Sequence, residues 1–200
     1  MLLKPEPLYN AIIDNKTERS KTIYMSPKGT PLNQKVVERL SKEEELVIIA
    51  GHYEGLDQRI IDNYIDESIS IGDYVLTGGE LPAAVLIDSI ARLIPGVLST
   101  DESYISESHY DILLEHPQYT RPQNFNGHEV PEILLSGNHQ EIEKWRRFKS
   151  IEMTISNRPD LVINNKELQK EYNKLKEYFK NIYVNHIWKC PKKVKSLAPV

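Results

Sequence analysis

Two glycines in tandem, Gly78 and Gly79, stand where a short apolar stretch, Tyr74-Val75-Leu76, gives way to a helical pattern. Residues without a Cβ reach positive φ and let a ligand approach the backbone, and the free N–H groups at the start of the next helix can donate to it. That helix is marked by Glu80 in its first turn, by Pro82 just inside its start, and by Leu81, Ala84, Val85, Ile90 and Leu93 near helical spacing, and Pro95-Gly96 stops it. On the residues alone, a strand–glycine pair–helix junction is more often a tight turn than a ligand cradle. The six histidines, His52, His109, His116, His128, His139 and His186, show no HxxxH or HExxH spacing, and Cys190 stands alone. A structural zinc site and an internal disulfide are not expected, and a reducing compartment fits.

The elements that must position this junction are legible on both sides of it. Lys21 to Met25 and Leu46 to Ala50 are apolar runs bounded by turn residues, with a helix expected over Asn33 to Glu44 between them. Ile69 and Tyr74 to Leu76 supply further strand material, with Tyr74 and Leu76 on one strand face. The fold class is α/β with a mostly parallel sheet, and no GxGxxG opens the first helix, so it is not a Rossmann fingerprint. Ser99 to Tyr110 is polar and aperiodic and reads as a mobile loop or lid. A second helical region begins near Asn138, a plausible N-cap, and carries Ile142, Trp145 and Phe148; Asn157-Arg158-Pro159-Asp160 punctuates it. Lys166 to Ile187 reads as an amphipathic helix, followed by a frayed tail from Pro191.

At 200 residues and 40% hydrophobic content the chain supports a real core. It shows no membrane-spanning run and no secretory pattern, so a cytoplasmic protein is expected. The net charge of −4 hides an asymmetry: residues 1–138 carry 11 basic against 22 acidic side chains, and residues 139–200 carry 14 against 7. The basic end suggests an anionic partner, or else a solvated Lys/Glu helix.

Five ordered blocks carry a resemblance. They are Ser68 to Leu98; Tyr24-Met25-Ser26-Pro27-Lys28-Gly29; Ala50-Gly51-His52-Tyr53-Glu54-Gly55-Leu56-Asp57-Gln58-Arg59; His116-Pro117-Gln118-Tyr119-Thr120-Arg121-Pro122; and Val130 through Trp145 with a Leu-Leu-Ser-Gly-Asn-His core. Together the blocks resemble the bacterial tRNA (guanine-N1)-methyltransferase family, TrmD, of the SPOUT superfamily, from Met1 to about Arg147. The resemblance implies helices on both sheet faces and a deep C-terminal trefoil knot, a rarity among folds, using Gly51 to Tyr53, Ser70 to Leu76 and Gly78 to Val97. It implies a methyltransferase domain over 1–98, a lid and interdomain linker over 99–122, and a small all-helical tRNA-binding domain over 123–200. It also implies a homodimer whose active sites are completed by the partner chain.

By the same resemblance the reaction moves a methyl group from S-adenosyl-L-methionine to N1 of the guanosine 3′ of the tRNA anticodon, position 37. Such a reaction needs a proton acceptor near N1 and a cation near O6. The family places Arg92 at O6 and Glu107 as the base, where its members commonly carry aspartate; Asp111 and Glu102 are neighbouring acids. The cofactor would meet Tyr24, Ser26, Pro27, Gly51, Tyr53, Glu54, Ile71, Gly72, Tyr74, Leu76, Gly78 and Gly79. Magnesium is a family requirement, without an evident ligand constellation in this sequence. Ser136, Asn138 and His139 position RNA or cap the helix. Family members carry an N-terminal strand and a GGxGM segment before the stretch matched by Met1-Leu2-Leu3-Lys4-Pro5, so a sheet strand and part of the ligand wall are expected to be missing. The alternative reading is a shortened, catalytically impaired module that dimerises and holds tRNA or cofactor.

Overall fold

The computed structural model describes residues 1–97 and 112–185, with side chains described up to residue 181. The chain divides into two compact units, Met1–Tyr104 and Ile105–Val200.

In the first unit, β1 (Ser20–Pro31), β2 (Glu45–Ala50) and β3 (Glu67–Ser70) form a parallel sheet in the order β2-β1-β3. Four helices accompany it: α1 (Pro5–Asn15), α2 (Gln34–Leu40), α3 (Gln58–Tyr64) and α4 (Glu80–Ala91). Side chains of a strand alternate between faces, and β1 uses both. Ile23 and Met25 pack with Val37 and Leu40 of α2 and with Leu86 and Ile90 of α4. Tyr24 packs on the opposite face with Ile12 of α1, Ile60 of α3, Ile49 and Leu56. Helices therefore cover both faces. Asn33 caps α2 by accepting the Val36 N–H at 3.1 Å, and Asp57 caps α3 by accepting the Arg59 N–H at 2.9 Å.

The pairing of β1 with β3 shifts register between Met25 and Thr30. Gly29 lies in that interval, and a Cβ there would fall 2.5 Å from Ile69 N and Ser68 C. The strands approach too closely for any side chain at that position. Below the shift, Asp66 accepts the Thr22 N–H at 2.7 Å and the Lys16 ammonium at 3.0 Å. Burial works against the Asp66 carboxylate, yet the Thr22 and Lys16 bonds outweigh it and hold its pKa below the ordinary value.

Three expectations are corrected in this unit. Tyr74 to Leu76 form no strand; they run as an exposed turn, with Val75 82% exposed. The α2 helix is shorter than Asn33 to Glu44 because Ser41 closes it. On α4 the buried pair is Leu86 and Ile90, while Leu81 and Val85 face outward.

The second unit is built on α5 (His139–Asn157) and α6 (Lys166–Asn185). Asn138 caps α5 by accepting the Glu141 N–H at 3.4 Å. Trp145 and Phe148 of α5 meet Phe179 of α6, and Ile151 meets Leu168, Val162 and Leu113. The Leu114 N–H donates to Thr154 Oγ1 at 2.9 Å and ties the strap before Glu115 to the last turn of α5. The expectation of an all-helical end is also corrected. β4 (Asn124–Phe125) and β5 (His128–Glu129) form a hairpin, turned by Asn126 and Gly127 at φ 52° and 84°. Two successive positive φ values suit an Asn-Gly turn.

Candidate active site

The three parallel strands deliver their carboxyl ends to one edge of the sheet, where open α/β sheets bind ligands. The segments that follow those ends are Gly51 to Gly55 after β2 and Ile71 to Gly79 after β3, while Ser26 and Pro27 lie in the last half of β1. Sequence reasoning had marked residues in all three, and the structure brings them together.

The junction between them is a backbone one. The Gly79 N–H donates to the Gly51 carbonyl at 2.8 Å, and His52 forms an antiparallel bridge with Gly78. Neither Gly78 nor Gly79 has a positive φ, which corrects the expectation from the sequence; Gly79 sits at −84° as the N-cap of α4. Space, not dihedral freedom, requires Gly79, where a Cβ would lie 2.7 Å from Ala50 Cα and Gly51 N; a Cβ on Gly78 would meet only the His52 and Glu80 side chains, 2.8 Å from His52 Cε1.

Beneath the loop, Tyr24 is 7% exposed and its ring would meet a Cβ on Gly51 at 3.0 Å. Burial pushes the Tyr24 hydroxyl up in pKa, against bonds with Ser26 and the Leu56 backbone that act downward. Ser26 Oγ also accepts the Lys28 N–H at 3.3 Å, and Pro27 beside it is exposed. Tyr53 is 67% exposed at φ 61°, a left-handed value that bulky residues seldom adopt outside functional turns. Glu54 is exposed and pairs with the Met1 amino group at 3.2 Å.

On the other side, Ile71 is half-buried against the core formed with α2 and α4. The Tyr74 N–H donates to the Gly72 carbonyl at 3.0 Å, and the Tyr74 ring lies over Gly72 so closely that a Cβ there would be 2.5 Å from Cε1. Tyr74 and Leu76 are exposed. Polar backbone at the strand ends thus meets an exposed apolar rim of Tyr53, Tyr74, Val75 and Leu76.

Two features were missed by sequence reasoning. His52 Nε2 contacts Glu80 Oε1, stapling the β2 loop to the first turn of α4. The Glu80 carboxyl is held below its ordinary pKa by its own backbone N–H and by His52. The signal was present, since His52 and Glu80 both sat in quoted blocks, but nothing in their separation reveals a contact across 28 positions. The second is the Gly29 close approach, hidden for the same reason.

Arg92 is exposed and forms the C-cap of α4. Twelve helical residues separate it from the Gly79 junction, about 18 Å at 1.5 Å per residue. The structure therefore does not bring Arg92 to the cradle of its own chain. Glu107, Glu102 and Asp111 lie outside the described residues. Among the described residues no three His, Cys, Asp or Glu side chains could together hold a metal ion, and no helix is long and apolar enough to cross a membrane.

In the second unit three basic side chains of α5 are paired with acids. Lys144 pairs with Glu141 at 2.8 Å, Arg146 with Glu143 at 2.7 Å, and Arg147 with Glu171 at 3.0 Å. His139 starts α5, and Ser136 Oγ donates to the Ile133 carbonyl at 2.8 Å, closing the turn before it.

Comparison with known proteins agrees with the blocks read from the sequence. The family described as tRNA (Guanine-1)-methyltransferase TrmD matches residues 1–164. The tRNA (guanine-N(1)-)-methyltransferase of Ruminiclostridium cellulolyticum is 60% identical over 153 residues, 76% of this chain and 66% of that protein. Its namesake in Alkaliphilus oremlandii is 54% identical over 170 residues, 81% and 68% of the two chains. That of Clostridium novyi is 51% identical over 180 residues, 90% and 74%. The chain spans about two thirds to three quarters of the length of these relatives. With a match over residues 1–164 and a parallel α/β unit that gathers the matched motifs at its strand ends, this chain belongs to the tRNA (guanine-N1)-methyltransferase family, TrmD.

Proposed function

We propose that the protein methylates N1 of the guanosine at position 37 of tRNA, with S-adenosyl-L-methionine as donor. The observation that carries this is the convergence of Gly51 to Gly55, Gly72 to Leu76 and Gly78-Gly79 at one sheet edge, within a chain of this family. The residues present fit the cofactor. The exposed rim of Tyr53, Tyr74 and Leu76 at the strand ends suits the flat purine face. Glu54 would meet the amino group of the methionine moiety. S-adenosyl-L-methionine supplies an electrophilic methyl when bound.

The chain's own side chains then handle the guanine. Glu107 accepts the N1 proton, and the Arg92 guanidinium stabilises the negative charge that spreads to O6 as the proton leaves. Because α4 carries Arg92 some 18 Å from its own Gly79, that guanidinium serves the cradle of a second copy of the chain. The outward apolar face of Leu81 and Val85 on α4, 68% and 45% exposed, supports a homodimer through this helix. The sheet end closes as the SPOUT trefoil knot. The domain plan is methyltransferase over 1–98, linker over 99–122 and tRNA-binding region over 123–200. The name shared by the relatives favours an enzyme over a binding module that does not turn over.

The test is transfer of labelled methyl to a tRNA transcript with guanosine at position 37 and to one with adenosine there. Label appearing as 1-methylguanosine in the first transcript alone supports the reading. Label in neither, under conditions where calorimetry detects cofactor binding, removes the activity from this chain.

A further inference from the structure

One carboxylate at the head of α4 serves two partners. Gly79 stands at the N-cap and has no side chain with which to satisfy the first N–H groups of the helix. Glu80, the next residue, supplies that acceptor with its own carboxylate, which bonds its own backbone N–H, and a negative charge suits a helix N-terminus. The same carboxylate reaches His52 Nε2 on the β2 loop. Both side chains close over Gly78, where a Cβ would lie 2.8 Å from His52 Cε1 and 3.1 Å from Nδ1 and would also meet the Glu80 carboxylate. The backbone bridge between His52 and Gly78 lies beneath them. The pair thus clamps together α4, the β2 loop and the end of the segment after β3.

What the clamp holds is a strained turn. Tyr53, next to His52, has φ 61°, and Gly55 has φ 114°. A left-handed tyrosine persists only where its surroundings over-determine it, and the Tyr53 side chain, 67% exposed, gains little from the core. The bond that closes the turn, from the Gly55 N–H to the His52 carbonyl, is long at 3.3 Å. Fixing the His52 ring fixes the residue from which that turn starts.

Imidazole is the side chain whose charge changes between about pH 5 and 8. Neutral, it meets a carboxylate through one N–H; protonated, it makes a charge-assisted bond, which is stronger. Glu80 is the ionisable group that faces His52 from α4. From its own loop come Tyr53, with ring centroids 6.1 Å apart, and Glu54, which is engaged by the Met1 amino group at 3.2 Å. The segment that carries Gly78 contributes Asp73 and Tyr74, both exposed.

We propose that Glu80 is a positioning residue of the cofactor cradle, acting through His52 to hold the Tyr53 turn against Gly78, and that this hold is tightest when His52 is protonated. The proposal rests on the reading of this junction as the S-adenosyl-L-methionine site.

The experiment is calorimetric titration of the full chain with S-adenosyl-L-methionine at pH 6 and pH 8. The cofactor's own amino group titrates near this range, so the readout is the ratio of parental to Glu80→Gln affinity at each pH, in which that titration cancels. The Glu80 and His52 side chains are 61% and 49% exposed, so their substitution leaves the core intact. Glu80→Gln should bind about two- to fivefold more weakly than the parent at pH 6, the size expected of an exposed ion pair, and nearly as well at pH 8. In a His52→Arg background, where the charge is permanent, Glu80→Gln should weaken binding by the same factor at both pH values. In a His52→Gln background it should weaken binding at neither, since the two residues act as one unit. A ratio that fails to shrink from pH 6 to pH 8 would make Glu80 a helix cap, or a direct attraction for the sulfonium, and overturn the proposal. A full effect of Glu80→Gln in the His52→Gln chain would overturn it as well. A parent chain that binds no cofactor at either pH would instead remove the cofactor reading, and the positioning role with it.

Discussion

The Gly79 N–H donates to the Gly51 carbonyl at 2.8 Å, and the two residues are so close that a Cβ on Gly79 would stand 2.7 Å from the Gly51 nitrogen. The obstructing atoms are backbone, so nothing swings aside. Gly79→Ala must push the β2 loop away from α4, at about 1–3 kcal/mol for forced overpacking. For a chain of this size that lowers the melting temperature by roughly 2–4 °C per kcal/mol. Cofactor affinity should fall with it. Parental melting and parental calorimetry in Gly79→Ala would mean that the loop does not rest on α4.

A pH test reads the cap of α3. The Arg59 side chain, then the Arg59 backbone N–H, hold the Asp57 carboxyl at about 2 instead of 3.8. A lowered folded pKa stabilises above the unfolded value and is lost as pH falls through the folded one. The contribution is therefore complete above about pH 4 and disappears towards pH 2. Asp57→Asn keeps an acceptor oxygen for the cap but has no charge to lose. Its melting temperature should lie below the parent's at pH 6, with the gap closing by pH 2 and shrinking in high salt. A gap that is constant across that range would assign the effect to shape rather than charge.

Much of the first unit was legible because it depends on local pattern. Leu46 to Ala50 is an apolar run with Val47, Ile48 and Ile49 at its centre, and Asn33, like Asn138 in the second unit, stands where an N-cap belongs. Tyr74 to Leu76 misled because an apolar triplet reads as strand, and only the structure shows it as an exposed rim. The glycines were recognised, but for the wrong reason. Positive φ is a local property that a sequence can suggest, whereas the Gly29 approach to Ile69 and the Gly79 approach to Ala50 are contacts between distant segments. The first helix, Pro5–Asn15, went unread because only Ile12 of it is buried, which leaves a weak periodic signal. The site was legible as a set of motifs, whereas the contacts that join them, Gly79 to Gly51 and His52 to Glu80, bridge segments far apart in the chain.

The second unit should be separable by mutation. Phe179 is 1% exposed and packs on Phe148 with ring centroids 5.3 Å apart. Phe179→Ala should cost about 3–5 kcal/mol there, which loosens α6 from α5. Stem-loop RNA binding should fall steeply while calorimetric cofactor affinity, carried by the first unit, stays at the parental value. Equal loss of both would show that the cradle depends on the second unit.

The last prediction concerns which chain supplies which part of a site. Glu107→Gln should slow single-turnover methyl transfer by about 10²–10⁴-fold, the usual loss for a positioned general base, with cofactor affinity unchanged. Glu107→Asp should retain activity, since aspartate is the family's common residue at this place. Arg92→Ala should also be slow. Its arginine sits a helix length from its own Gly79, so in a dimer it should act on the partner's cradle. Gly79→Val removes a chain's cradle and leaves its arginine in place. Neither Gly79→Val nor Arg92→Ala should be active by itself. Refolding them together in equal amounts forms mixed dimers in which an intact cradle meets an intact Arg92, so about a quarter of parental activity should return. Activity that returns on mixing establishes the crossed site. No return, with mixed dimers demonstrated by differential tagging, would place Arg92 in its own chain's chemistry and require α4 to lie differently against the substrate.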